Sequence, residues 1–113
     1  MITALFWLLC GHALADFSLQ TDAMARGKNR HNPITPPANQ KVVPCWQYWM
    51  TAHALIHAGM VGLVLQSPVI GFVYGVTHWL TDYAKCEGWT NPHTDQAIHV
   101  LVLALAVAWW AVI

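Results

Sequence analysis

Four long apolar stretches, separated by polar segments, make up most of this 113-residue chain. None of them alternates apolar and polar residues with the period of two that is typical of strands. Each is close to the roughly 20 residues that a membrane-spanning helix needs, although the third is short. The pattern predicts an all-α fold, an integral membrane four-helix bundle with up-down-up-down topology. Residues 1–113 then form a single domain with helices over about 2–24, 47–66, 69–84 and 95–113.

The connections between these predicted helices differ greatly in length. Only Ser67 and Pro68 separate the second helix from the third, which predicts a tight hairpin with proline in the first helical turn. A long loop joins the first helix to the second, and residues 32–44 within it are rich in proline. Loops of this length are usually functional or disordered, so a lid, a partner-binding loop and a plain flexible connector all remain open.

Composition and charge support a membrane location and predict an orientation. Hydrophobic residues make up 57% of the chain and charged residues only 9%, against about 25% in a typical soluble domain. The net charge is zero and no basic stripe is present, so the sequence predicts no nucleic-acid partner. All basic residues fall in the first and third connections, which the positive-inside rule places on the cytoplasmic side. These residues are Arg26, Lys28, Arg30, Lys41 and Lys85.

Each apolar stretch carries one pair of histidine or aspartate residues four positions apart. The pairs are His12 and Asp16, His53 and His57, His78 and Asp82, and Asp95 and His99. Residues four apart lie on one face of a helix. The pairs come late in the first and third helices and early in the second and fourth. In an antiparallel bundle all four pairs therefore meet at one depth, near the cytoplasmic side.

Such a layer predicts a metal site. A carboxylate inside a membrane costs about 2.5–3.5 kcal/mol, and a divalent cation is the partner that imidazoles and carboxylates can share. Eight ligands suit two ions, which we expect to be zinc, with iron, manganese or nickel as alternatives. For any single pair, a hydrogen-bonded contact between helices is the simpler interpretation; four pairs at one depth favour metal.

Two metal ions beneath the lipid headgroups predict a metal-dependent hydrolase. A metal pair can generate hydroxide at neutral pH and hold both oxygens of a phosphoester. We therefore expect a phosphoester or ester substrate, either a membrane lipid or a lipid-linked molecule. One of Asp16, Asp82 and Asp95 would serve as the general base. Gln20 and Gln96 are candidates for orienting the ligands through hydrogen bonds.

Other classes of function remain open. The chain can be a non-enzymatic membrane interaction protein that binds a host membrane protein and uses metal only to join its helices. An ion transporter is disfavoured because the far half of each helix is apolar, and haem ligation by histidine pairs is a further alternative. Gly71 and Gly75 form a G-x-x-x-G motif, which suits packing within the chain or a homodimer.

The segments "HALADFSLQTDAMARGK", "HALIH", "HWLTDYAK" and "DQAIH" resemble the domain-of-unknown-function family 3307, which comprises small bacterial and phage membrane proteins. The resemblance covers nearly the whole chain except its Pro-rich loop. It implies a multi-pass protein of the bacterial inner membrane, with the site and long loop on the cytoplasmic side, but no established activity. More loosely, the histidine and aspartate pairs resemble those of membrane-bound metal-dependent hydrolases, some of which are related to zinc phospholipases C.

Overall fold

The protein is all-helical in a computed structural model that describes residues 1–113. It has five α-helices, and a π-helical turn, Leu14–Ser18, extends the first of them. No strand is present, so the predicted all-α class is confirmed. The α-helices are α1 Ile2–Ala13, α2 Asp22–Gly27, α3 Trp46–Val64, α4 Pro68–Cys86 and α5 Pro92–Val112.

Polar caps mark where three of these helices begin. The Ser67 hydroxyl accepts a hydrogen bond from the Ile70 amide at 3.4 Å, and Pro68 follows as the first residue of α4. The same arrangement starts α5, where the Asn91 side chain accepts from the Thr94 amide at 2.9 Å. The tight hairpin between α3 and α4 therefore forms as the sequence predicts.

The structure divides the predicted first helix, 2–24, into two parts. The π-helical turn ends at Ser18, and Thr21 adopts an extended backbone with φ of −66° and ψ of 160°. Its hydroxyl caps a new helix, α2, by accepting from the Met24 amide at 3.1 Å. The chain therefore changes direction after Ser18, and α2 lies against α3 instead of continuing α1.

The four long helices form a closed ring in which α3 contacts α4, α4 contacts α5, and α1 contacts both α3 and α5. The half of the ring nearest the Ser67–Pro68 turn is filled by apolar side chains. These are Leu8, Val61, Leu65, Ile70, Tyr74, Leu103, Ala106 and Val107. The other half holds the polar layer.

Helices α3 and α4 make their closest approach at Gly71. A Cβ atom there would lie 2.5 Å from the carbonyl oxygen of Ala58 and 2.9 Å from the backbone of Gly62. A Cβ on Gly75 would lie 2.7 Å from Ala58. The G-x-x-x-G motif therefore serves packing within the chain, which is one of the two roles that the sequence suggested.

Apolar side chains also cover much of the outside of the bundle. Phe6, Leu63, Phe72 and Leu101 are each more than half exposed, and they come from four different helices. By length and composition one helix, α5, is able to cross a membrane, and the apolar helix over Ile2–Ser18 is shorter. These features are one indication of membrane association.

Candidate metal centre

The structure brings all eight histidine and aspartate residues of the four pairs into one buried layer. None of them exposes more than 7% of its surface, and six expose 1% or less. The eight are His12, Asp16, His53, His57, His78, Asp82, Asp95 and His99. Charged groups and imidazoles buried this closely together need hydrogen-bond or ionic partners. The distances between their atoms show which residues share a partner.

One carboxylate oxygen is the centre of the first group of four residues. Asp16 Oδ1 lies 3.0 Å from His57 Nε2, 3.2 Å from His53 Nε2 and 3.9 Å from His78 Nε2. A tetrahedral zinc ion with bonds of about 2.0–2.1 Å holds its ligands about 3.3–3.4 Å apart. The three distances bracket that value, so the spacing between Asp16 Oδ1 and the three imidazole nitrogens suits ligands that share one zinc ion.

A second group of three residues adjoins the first and shares His78 with it. Asp82 Oδ2 lies 3.7 Å from His78 Nε2, and Asp82 Oδ1 lies 3.5 Å from His99 Nε2. The same nitrogen of His78 faces both Asp16 and Asp82. The second group therefore offers fewer ligands than the first and competes with it for one of them.

Several ring nitrogens of the layer lack any hydrogen-bond partner although they are fully buried. Both nitrogens of His53 and of His78 are in this state, as is Nε2 of His99. The rings of His57 and His78 stack with centroids 3.6 Å apart, and those of His78 and His99 stack at 4.1 Å. Buried polar atoms are nearly always paired, so the orphan Nε2 atoms of His53, His78 and His99 fit coordination to a cation.

Two of the eight predicted ligands, His12 and Asp95, lie outside both groups. His12 Nε2 is 3.0 Å from Gln96 Oε1, and Asp95 Oδ2 accepts a hydrogen bond from Lys85 Nζ at 2.8 Å. A π-helical turn begins at Leu14, between His12 and Asp16, and the two side chains stay close, with His12 Nε2 3.4 Å from Asp16 Oδ2.

The two glutamines that the sequence singled out both hold Asp16. Gln96 Nε2 donates to Asp16 Oδ2 at 2.7 Å, and its carbonyl oxygen faces His12. Gln20 Nε2 donates to the backbone carbonyl of Asp16 at 3.1 Å. Asp16 Oδ2 is thus occupied by an amide, which leaves Oδ1 directed at the three imidazoles.

Lys28 is the site residue that the histidine and aspartate pattern does not mark. Its ammonium donates to Asp82 Oδ2 at 2.5 Å, and the side chain is only 4% exposed. Lys85 donates to the other oxygen, Asp82 Oδ1, at 3.1 Å. Lys85 follows Asp82 by three residues, so helical spacing can indicate that pair, whereas 54 residues separate Lys28 from Asp82 and no local pattern does.

The segment that carries Lys28 is fastened to the end of α4. The Arg30 guanidinium donates to both carboxylate oxygens of Glu87, at 2.5 and 3.0 Å, and His31 Nε2 lies 3.0 Å from Glu87 Oε2. These hydrogen bonds from Arg30 and His31 lower the pKa of Glu87 to about 2 from its ordinary 4.5. A two-pronged guanidinium contact fixes orientation as well as position.

This ion pair predicts a pH-dependent difference between the protein and its Glu87→Gln variant. Because the folded-state pKa of Glu87 is depressed, its contribution to stability is present above pH 4.5 and is lost as the pH falls toward about 2. We expect the variant to melt a few degrees lower at pH 5–7 and the two melting curves to converge near pH 2. Circular dichroism melts across this range test it, and a difference that does not change with pH would contradict it.

A family model matches residues 4–113 of the chain, which is nearly its entire length. The family is described as a protein of unknown function. No curated protein and no solved structure matches the chain. The match covers all eight histidines and aspartates of the layer as well as Lys28 and Lys85. The resemblance carried by the four sequence motifs is confirmed, and the chain belongs to the DUF3307 family.

Proposed function

We propose that this protein is a metal-dependent hydrolase of the membrane, acting on a phosphoester or ester at the cytoplasmic face. One observation carries the proposal: Asp16 Oδ1 faces three imidazole nitrogens at 3.0–3.9 Å inside a layer closed to solvent. The donor set of three nitrogens and one carboxylate oxygen, without a cysteine, suits zinc first. Iron, manganese and nickel follow.

Four crossings of the membrane are part of this proposal. The long helices expose large apolar side chains such as Trp7, Leu55, Leu80 and Leu105. Helix α5 has 21 residues and so spans about 30 Å, the thickness of the hydrocarbon layer. Helices α3 and α4 have 19 residues each, and their histidines and Asp82, which lower the mean hydropathy, point inward instead of toward lipid.

The polar layer then lies near the membrane surface that carries the basic loop. Arg30 and Lys85 are on this side, where anionic lipid headgroups are attracted to basic residues. Below the layer the ring is filled by apolar side chains such as Leu8, Val61 and Leu103. A route for ions across the bundle would need polar steps through this core, which argues against a transporter.

The chemistry follows from the charges and from the protons that the residues can hold. A divalent ion held by three of the four residues of the first group would keep one coordination position for water, and it would lower the pKa of that water toward about 7 and so supply a nucleophile. Among the three aspartates, Asp95 is best placed to act as general base. Its Oδ1 is buried without a hydrogen-bond partner, belongs to neither ligand group, and lies 3.4 Å from His99 Nε2.

Removing the metal tests this proposal. We expect the purified full chain to contain zinc by elemental analysis and to hydrolyse para-nitrophenyl phosphate, its bis-ester or para-nitrophenyl acetate. Dialysis against a chelator should reduce turnover about 100-fold or more, because catalysis by a metal ion is lost, and added zinc should restore it. Turnover that survives complete removal of metal would overturn the hydrolase.

A metal that only joins helices is the competing role for this centre. The ligands of the first group come from the π-helical turn, α3 and α4, so an ion there would tie these elements together. A protein that binds zinc, melts at a lower temperature without it, and hydrolyses none of the three esters or vesicles of phosphatidylglycerol would support this structural role instead.

A further inference from the structure

Lys28 is a buried ammonium group at the edge of the ligand layer. Only 4% of it is exposed, and its Nζ donates to Asp82 Oδ2 at 2.5 Å. The same oxygen lies 3.4 Å from His53 Nε2 and 3.7 Å from His78 Nε2, two members of the first group. The Lys28 ammonium and the His53 and His78 imidazoles therefore lie on the same oxygen, Asp82 Oδ2. His53 and His78 are two of the four proposed ligands in the first group.

The backbone holds Lys28 in this place from both sides. Gly27, the preceding residue, packs so closely on the indole of Trp49 that a Cβ there would lie 2.5 Å from the ring. Two residues after Lys28, the Arg30 guanidinium is bound to Glu87 through both carboxylate oxygens. Because the residues on both sides of Lys28 are fixed in this way, its side chain is held in place as part of the candidate metal centre.

Both carboxylate oxygens of Asp82 accept hydrogen bonds from lysine ammonium groups. Lys28 occupies Oδ2 at 2.5 Å, and Lys85 occupies Oδ1 at 3.1 Å. Lys85 also donates to Asp95 Oδ2 at 2.8 Å, so two lysines serve two carboxylates. A divalent ion in the second group would have to displace Lys28 from Asp82 and share His78 Nε2 with the first ion.

The charge of the layer favours one ion. With neutral imidazoles, three buried carboxylates, the buried ammonium of Lys28 and the partly exposed ammonium of Lys85 leave a single negative charge in the layer. One divalent ion converts this to a single positive charge, the right state to hold an anion. A second ion would leave three positive charges in a site closed to water, which is far more costly.

We propose that Lys28 takes the second cation position of this centre, so that the chain binds one divalent ion and uses Lys28 with that ion to hold an oxyanion. This inference rests on the proposed function and narrows it to one substrate class. A phosphoester carries the oxygens that an ammonium and a metal ion can bind together, whereas a neutral carboxylic ester carries no such charge. Lys28 acts here as a substrate-binding residue that neutralises Asp82 and donates to an oxygen of the phosphoryl group.

Zinc stoichiometry and phosphate binding test the inference without any turnover. The full chain in detergent is titrated with zinc, and inorganic phosphate is then titrated into the zinc-loaded protein by calorimetry. We expect one zinc ion per chain, and we expect Lys28→Met to weaken phosphate binding about tenfold or more because a charged hydrogen-bond partner is lost. Lys41→Met, which removes an exposed lysine of the same loop, should bind phosphate like the unchanged protein.

Two results would overturn the inference: two zinc ions per chain in the unchanged protein, or equal phosphate affinity in the unchanged protein and in folded Lys28→Met. Should Lys28→Met fail to fold, Lys28→Arg keeps the charge, and the zinc count of the unchanged protein still decides. The outcomes separate this inference from the hydrolase itself. A chain with one zinc and bound phosphate but no turnover supports the inference and removes the enzyme, whereas an active two-zinc chain does the reverse.

Discussion

Asp16→Asn is expected to release the bound metal ion. Asp16 carries the only carboxylate of the four-residue group, and its Oδ1 lies within 3.9 Å of three imidazole nitrogens. Replacing the Asp16 carboxylate by a neutral amide removes the negative charge that attracts the cation. The three imidazoles then face an amide group that does not supply this charge. Loss of a residue that merely orients a ligand costs about 10–100-fold in metal affinity, so loss of the ligand itself should cost about 100-fold or more.

Competition with a chromophoric zinc chelator measures this affinity. Asp22→Asn is the matched control, because it makes the same chemical change at a side chain that is 81% exposed and pairs only with Arg26 across one helical turn. Such exposed pairs contribute about 0–1 kcal/mol, so the control should keep both fold and zinc. Equal zinc affinity in the two variants would show that Asp16 is not a ligand.

Gly71→Ala is expected to cause the largest loss of stability among single-methyl changes in this chain. The added Cβ would lie 2.5 Å from the carbonyl oxygen of Ala58, so α3 and α4 would have to move apart. Overpacking of this kind costs about 1–3 kcal/mol, and more where the obstacle is backbone. Zinc affinity should fall with it, because α3 supplies His53 and His57 while α4 supplies His78.

Gly59→Ala provides the comparison for this change. It lies in α3 and is exposed, and a Cβ there would meet nothing within 4 Å. Alanine is favoured over glycine in a helix by about 0.5–1 kcal/mol, so this variant should be as stable as the unchanged protein or more stable. Denaturant titrations of both variants decide the matter, and a Gly71→Ala protein as stable as Gly59→Ala would contradict the close approach.

Much of the candidate site follows from spacing alone. Each histidine or aspartate pair occupies one face of one helix, since four residues make about one turn. Alternating helix direction then sets the depth of every pair, and the eight side chains do share one buried layer. The distances around Asp16 could not be predicted from the sequence, because helical spacing does not specify how each helix is rotated about its own axis. The π-helical turn at Leu14–Ser18, which contains Asp16, is likewise not predicted by regular helical spacing.

The sequence by itself determined that this chain is helical, that a short hairpin joins α3 to α4, and that imidazoles and carboxylates gather at one level. These properties depend on residues within about four positions of one another, so the pattern of residue types along the sequence predicts them directly. Only the tertiary structure decided that Asp16, His53, His57 and His78 form one four-residue group and that Lys28 donates to Asp82. Such contacts join residues that are tens of positions apart in the sequence. Close packing at glycines and indole rings, together with ion pairs, holds these residues in place.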